Sequence, residues 1–127
     1  MNTIESAFDT FVSTFNSHEL ERFCACLTPD VSVYPPPQAG ISPIEGGSAV
    51  KAYFGKLFEA ATPMGPIIRQ TNVQVRRLNE HAAFITFEFP GPQGSTARRT
   101  LVLRQEAGGW LVAHIHASSA DAPAARA

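Results

Sequence analysis

Features that would attract a metal ion, a disulfide partner or a polyanion are scarce in this sequence. It has two cysteines, and its formal net charge is −1. Cys24 and Cys26 lie two residues apart in a segment that we interpret as helical, which turns their side chains roughly 200° away from each other. We therefore expect free thiols. A net charge near zero gives no long-range attraction for nucleic acid or an anionic membrane surface, so we expect neither as a partner.

Long apolar runs and the common motifs of cofactor chemistry are also missing. No run approaches the ~20 apolar residues that span a bilayer, and the first residues lack the basic and apolar regions of a signal peptide, so the expected location is cytoplasmic. The sequence contains no glycine-rich phosphate loop, no Gly-x-Ser-x-Gly motif and no zinc-ligand spacing, and we expect no cofactor and no metal. Acid/base chemistry stays open, because it needs only two or three converging side chains.

What is present fits one domain over residues 1–120, followed by a flexible tail over 121–127 that is rich in Ala and Pro. Apolar residues at helical spacing predict a first helix from Ile4 to about Asn16. A second helix, capped by Ser17, is expected to include Leu27 and to stop at residues 28–30. A third helix is expected to be capped by Ser48, to reach Ala61 and to be closed by residues 62–66.

The remaining segments predict strands. A short strand covers residues 31–34, and four longer strands follow over residues 67–78, 81–89, 96–105 and 108–119. Helices and strands are segregated along the chain, which predicts an α+β domain with three helices on one face of a curved, mainly antiparallel sheet. A sheet bent around helices without collapsing on them leaves a cavity, where small ligands usually bind.

The last strand is the most informative element. Strict alternation would put Trp110, Val112, His114 and His116 on one face and Leu111, Ala113, Ile115 and Ala117 on the other. Neither set of side chains is polar enough to favour exposure to water. We therefore expect both faces of this strand to be covered, one by the helices and one by a second copy of the chain.

Gly109-Trp110 followed by His114-Ile115-His116-Ala117-Ser118 resembles the end of the association domain of calcium/calmodulin-dependent kinase II and its bacterial relatives. Residues 27–31 and Gly46-Gly47 add to a resemblance that covers residues 4–119. By it the chain is identified as a SnoaL-like member of the nuclear-transport-factor-2-like superfamily. The resemblance implies a cone-shaped, cystatin-like fold with a pocket, and a homodimer through the outer face of the sheet.

The same superfamily includes ketosteroid isomerase, whose catalytic groups are not matched in this chain. The positions of its tyrosine and its general base fall near Phe11 and Pro35, and that of its second acid falls near Thr100 or Leu101. None of these side chains can act as an acid or a base near neutrality, so the resemblance does not imply steroid isomerisation.

His114 and His116 are candidate site residues because an imidazole can act as acid or base near neutrality. They could equally hydrogen-bond within the sheet or at a dimer contact. Glu88 interrupts an apolar strand, and it either faces the cavity as a general base or pairs with Arg99 or Arg104 on the outside. Arg99, with Arg98 beside it, could hold a carboxylate or lie at a solvated edge.

Tyr34 could reach the cavity mouth, and Phe54 and Phe58 could form core, ligand wall or both. The candidate ligand-binding residues are therefore Tyr34, Phe54, Phe58, Glu88, Arg99, His114 and His116. Three functions follow from these residues. The first is binding of a small hydrophobic or carboxylate ligand, the second is an acid/base enzyme of isomerase, cyclase or dehydratase type, and the third is a homo-oligomeric assembly module.

Overall fold

The computed structural model describes residues 2–60, apart from the side chain of Gln38, and residues 67–121. In this part of the chain three α-helices are present: α1 (Ile4–Asn16), α2 (Leu20–Cys24) and α3 (Gly47–Ala60). None of them is long and apolar enough to cross a membrane. The three helices are those that apolar periodicity predicts, although α2 is shorter than expected.

The first helix illustrates how local sequence sets its own boundaries. Thr3 accepts a hydrogen bond from the backbone N–H of Ser6 at 3.0 Å, and the Ser6 hydroxyl accepts one from the N–H of Thr3 at 2.9 Å. This reciprocal pair satisfies two backbone donors that would otherwise have no partner. Phe8 and Phe11 lie on one face of α1, and both are buried in the core. The predicted aromatic stripe on α1 is confirmed.

Six strands in the described residues form one open, curved sheet. The spatial order is β2-β1-β6-β5-β4-β3, with β1 and β6 parallel and every other pair antiparallel. The helices cover its inner face, and the predicted α+β cone is confirmed. The strands are β1 (Leu27–Tyr34), β2 (Ile44–Glu45), β3 (Thr71–Arg77), β4 (Ala82–Pro90), β5 (Thr96–Glu106) and β6 (Gly109–Ala120).

The expected extent of the second helix is wrong. α2 ends at Cys24, and Leu27 already belongs to β1, where it pairs with Val112 of β6. The register of the parallel pairing shifts between Leu27 and Ser32. This interval contains Pro29, which cannot donate a backbone hydrogen bond to a neighbouring strand. Ser17 is the C-cap of α1 and does not cap α2.

The third helix also begins differently from the expectation. α3 starts at Gly47, so Ser48 lies inside its first turn. The two-residue strand β2 just before it was not predicted, because two residues carry no readable periodicity. Ala61, the expected closing segment 62–66 and the expected tail from residue 122 onward lie outside the described residues.

Candidate functional site

A cavity of about 400 Å³ lies between the helices and the inner face of the sheet. α1 and α3 supply one wall, and β1, β4, β5 and β6 supply the other. The residues just before β3 and just after β4 also line the cavity. The lining residues are Phe11, Phe15, Val33, Pro36, Tyr53, Phe54, Leu57, Ile67, Ile68, Phe89, Pro90, Gly91, Pro92, Ala97, Arg99, Ile115, Ala117, Ser118 and Ser119.

Packed aromatic rings make the helical wall of the cavity. Phe54 of α3 is 6% exposed and meets Phe15 of α1 edge to face, with ring centroids 6.4 Å apart. Phe23 lies behind both rings, fully buried, with centroid distances of 4.7 Å to Phe54 and 5.9 Å to Phe15. Tilted and edge-to-face contacts of this kind hold the rings in defined positions. The wall is therefore built before any ligand arrives.

Asn16, the last residue of α1, fixes another part of the lining. Its Nδ2 donates to the backbone carbonyl of Ile68 at 3.0 Å, and its Oδ1 accepts from the N–H of Ile68 at 2.7 Å. A side-chain amide that pairs with both backbone groups of one residue mimics a strand partner. Ile67 and Ile68 are thereby held against the end of α1 before β3 begins.

Arg99 is the charged side chain of the lining. Its guanidinium carbon lies 4.9 Å from the centroid of the Phe89 ring. Nη1 donates to the backbone carbonyls of Arg98 at 3.0 Å and Ser118 at 3.5 Å. Burial lowers the pKa of Arg99 from its ordinary value, and the nearby Tyr53 hydroxyl partly opposes this. An arginine nevertheless keeps its charge at any physiological pH.

Tyr53 of α3 is the other ionisable group that lines the cavity. Burial raises the pKa of its phenol above the ordinary value of 10.0, against the smaller opposing effect of the Arg99 charge. The hydroxyl therefore stays protonated near neutrality and can donate a hydrogen bond. Tyr53 and Arg99 present donors to a cavity whose described lining contains no Asp, Glu or His.

The structure separates the seven predicted site residues. Phe54 and Arg99 line the cavity. Phe58 is buried one turn further along α3, where its ring packs on Phe15 and Phe23 with centroid distances of 5.5 and 5.6 Å. The other four, Tyr34, Glu88, His114 and His116, do not line the cavity and lie on the outer face of the sheet.

A β-bulge explains why the predicted faces of the last strand are wrong. Leu103 pairs with Val112 while the preceding Val102 pairs with His114, so Ala113 is an extra residue in β6. An inserted residue reverses the alternation beyond it. Ile115 consequently continues the buried inner face that Val112 begins. The two histidines turn outward.

On the outer face the histidines form a cluster with β1. Nδ1 of His114 lies 2.7 Å from the hydroxyl oxygen of Ser32. The Tyr34 ring lies 5.2 Å, centroid to centroid, from each imidazole, and the imidazoles are 6.2 Å apart. Burial and then the charge of His116 lower the pKa of His114, while a hydrogen bond with Ser32 opposes them. These contacts give the cluster a defined geometry, but none of its residues lines the cavity.

Glu88 lies on the outer face, the second of its two predicted placements, but its predicted partners Arg99 and Arg104 are wrong, because the register pairs it with Arg98. Its Oε2 accepts from Nε of Arg98 at 2.9 Å, and its Oε1 accepts from Nδ2 of Asn72 at 3.4 Å. The Glu88–Arg98 ion pair joins β4 and β5 on the outer face, where the two residues are direct partners in the sheet. In the described part of the chain no group of three or more His, Cys, Asp or Glu side chains is arranged to hold a metal ion.

Sequence reasoning missed several residues that form the cavity. Tyr53 lies next to Phe54 in α3 and could have been found from the helical period, because it borders the apolar stripe. Phe89 and Ala97 lie on either side of the β4–β5 hairpin loop and pair with each other across it. Their orientation depends on the register of that hairpin, which no local motif in the sequence specifies.

A curved sheet that holds three helices on one face, with an apolar cavity between them, defines the nuclear-transport-factor-2-like class of α+β folds. The chain belongs to the SnoaL-like domain family, whose model matches residues 4–122. No curated protein matches the sequence.

Solved structures support the same fold. A proposed dehydratase of the nuclear-transport-factor-2-like family from Streptomyces avermitilis is 19% identical, with a TM-score of 0.78 over 94% of this chain and 95% of that one. A ketosteroid isomerase-like protein from Erwinia carotovora atroseptica is 20% identical, with a TM-score of 0.77 over 93% and 94%. A proposed calcium/calmodulin-dependent kinase II association domain from Thiobacillus denitrificans is 24% identical, with a TM-score of 0.74 over 95% and 98%. At these identities the similarity extends to the fold alone.

Proposed function

We propose that this SnoaL-like domain binds a small, largely apolar molecule in the cavity between its helices and its sheet. The observation that carries the proposal is the cavity itself: about 400 Å³ of space walled by packed aromatic and aliphatic side chains. Small-molecule sites in proteins usually have volumes of roughly 300–1,000 Å³ and combine apolar walls with a few polar groups. Arg99 and Tyr53 are polar groups of that kind.

An acid/base enzyme has less support as an alternative. Proton transfer requires the acid and the base to lie within hydrogen-bonding reach of one bound substrate. His114, His116 and Glu88 lie on the outer face, so they do not assemble an acid/base pair around this cavity. The dehydratase and isomerase named among the structural relatives share the fold, and a common fold hosts many activities.

A pure assembly module has less support as well. Assembly through the outer face of the sheet would need neither an apolar pocket on the inner face nor polar groups directed into it. The pocket combines apolar walls with two donors, Tyr53 and Arg99, which is the usual composition of a small-molecule site.

A cavity-filling substitution tests the proposed function. Ala117 is 6% exposed and lines the cavity, so the ring in Ala117→Phe would extend into the free space. Suitable probes are three pairs of matched acids and amides: benzoate and benzamide, 2-naphthoate and 2-naphthamide, and octanoate and octanamide. Calorimetric titration should show saturable binding of at least one pair to the native protein and at least a tenfold loss, about 1.4 kcal/mol, in Ala117→Phe.

The matched control is Ala107→Phe, which adds the same ring at an exposed turn outside the cavity. This variant should bind the probes as the native protein does. Equal binding by native protein and Ala117→Phe would place the probes elsewhere and contradict the proposal. Absence of binding by all six probes would also contradict it.

A further inference from the structure

The inner face of the sheet carries one unexpected residue, Arg99. In the sheet ladder it pairs with Phe87 of β4 and Ala117 of β6, which are both buried against the helices. Residues that pair directly across strands share a face. A guanidinium therefore projects from the middle of an otherwise apolar surface into the cavity. Arg99 is partly buried there, and a charged side chain withdrawn from water usually has a partner of opposite charge.

In the described part of the chain, no Asp or Glu side chain forms an ion pair with Arg99. The ion pairs of the described residues join Arg22, Lys51, Arg98 and Arg104 to acidic groups, and Arg99 is not among them. The residues outside the described part, namely Met1, 61–66 and 122–127, contain no Asp or Glu. The positive charge at the cavity thus has no acidic side chain of its own chain as a counter-ion.

The contacts that hold the guanidinium use only part of its hydrogen-bonding capacity. Phe89 stacks against it at 4.9 Å, and Nη1 donates to the carbonyls of Arg98 and Ser118. A guanidinium has five N–H donors in a rigid planar fork, so donors remain for a ligand. The Phe89 ring and the two carbonyl acceptors restrict the guanidinium, which reduces the conformational entropy lost when an anion binds.

Tyr53 adds a second donor on the helical side of the same cavity. Its phenol stays protonated and faces a lining in which the described residues contain no carboxylate. A ligand that suits this arrangement has an apolar body for the aromatic wall and a group rich in acceptor oxygens for Arg99 and Tyr53. A carboxylate has two acceptor oxygens in the spacing that a guanidinium fork matches.

We propose that the cavity selects small apolar monocarboxylates, with the carboxylate bound by Arg99 and the apolar body packed on the wall around Phe54. This inference rests on the proposed function, since it specifies the ligand class of the same cavity. A carboxylate in this position would neutralise a charge that is costly to keep desolvated and unpaired. A neutral ligand of the same shape would leave that charge unpaired.

The test compares each acid with its amide in the three probe pairs defined above, by calorimetric titration near pH 7.5. The native protein should bind the acid of at least one pair roughly tenfold or more tightly than the isosteric amide, because hydrogen bonds to charged groups are the stronger kind. Arg99→Met, which keeps the length of the side chain without its charge, should abolish that preference. Arg99→Lys should retain part of it.

Arg98→Met is the matched control, because Arg98 is the adjacent residue in β5 but pairs with Glu88 on the outer face. It should leave the acid-over-amide ratio unchanged. Thermal unfolding of ligand-free Arg99→Met should occur at or above the native midpoint, since a partly desolvated charge without an acidic partner has been removed. This measurement separates a loss of recognition from a loss of folding.

Two outcomes would overturn the inference, and they are distinguishable. Equal binding of acids and amides by the native protein, or a preference that survives in Arg99→Met, would contradict the role of Arg99 while the proposed function stands. Absence of binding by every acid and every amide would contradict the proposed function and this inference together.

Discussion

His114 shows how the chemistry of a single residue depends on which face of a strand it occupies. Its Nδ1 lies 2.7 Å from the Ser32 hydroxyl, and its ring packs edge to face on Tyr34. A His-x-His sequence suggests an acid/base site because imidazole titrates near neutrality. In the structure the same pair contributes to the packing of β6 against β1.

The pH dependence of stability follows from the environment of His114. Burial and the neighbouring charge of His116 lower its pKa below the ordinary 6.5. The unfolded chain then binds a proton at this position more readily than the folded chain does. The stability contribution is therefore fully present above about pH 6.5 and is lost as the pH falls through the lower folded-state value.

This prediction can be measured directly. In an NMR titration the His114 imidazole should give a midpoint below 6.5. In urea unfolding His114→Gln should lose less stability than the native protein between pH 7.5 and pH 5, because the titrating group is gone. A midpoint at or above 6.5 would contradict the account of this residue.

The turn between β5 and β6 is the element that ties the amino terminus to the sheet. Asn2 accepts a hydrogen bond from the N–H of Trp110 at 2.7 Å and donates one to its carbonyl at 3.1 Å. The residue before it, Gly109, has φ +112°, and a Cβ there would collide with Oδ1 of Asn2. The left-handed φ favours glycine at this position, and a larger residue would also displace the Asn2 side chain.

Substitutions of the two adjacent glycines, Gly108 and Gly109, should differ in their effect on stability. Gly109→Ala should destabilise the fold by about 1–3 kcal/mol, through backbone strain and displacement of Asn2. Gly108→Ala, where a Cβ meets open space, should change the free energy of unfolding by less than about 0.5 kcal/mol. Urea unfolding followed by the fluorescence of Trp110, the one tryptophan in the sequence, measures both. Equal effects of the two variants would contradict the proposed strain.

Elements differ in how well the sequence predicts them. The periodicity of α1 spans three full turns and identifies the helix and its buried face. The last strand is equally clear as a strand, yet its faces could not be assigned, because the bulge at Ala113 depends on pairing with β5 and β1. Phe54 and Arg99 line the cavity, which is one of the placements that the sequence left open for each. His114 and His116 do not line it, and the bulge accounts for their outward position.

At the scale of the molecule, the segregation of helices from strands predicts the α+β class, and the family resemblance predicts the cone. The parallel pairing of β1 with β6 and the strand order could not be derived from local pattern, because they depend on contacts between the two ends of the chain. The cavity was predicted from the curvature of the sheet. Its lining was not, because the hairpin registers determine which side chains face inward.

The homodimer remains a prediction. Phe84 and Val102 pair across β4 and β5 on the outer face, and both stay half-buried in a single copy. If two copies meet there, Val102→Glu should convert a dimer to a monomer, while Val73→Glu on the exposed edge strand β3 should not. Light scattering at tens of micromolar distinguishes these states. A monomeric native protein would contradict the prediction.

The central claim is that the cavity between the helices and the sheet binds a small apolar molecule. Amide chemical-shift mapping during titration with 2-naphthoate and with 2-naphthamide tests it most directly. We predict saturable shifts centred on Val33, Phe54, Ile115 and Ala117, with the outer-face cluster of Ser32, Tyr34, His114 and His116 much less affected. Shifts centred on the outer-face cluster, or no saturable shift with either probe, would contradict the claim.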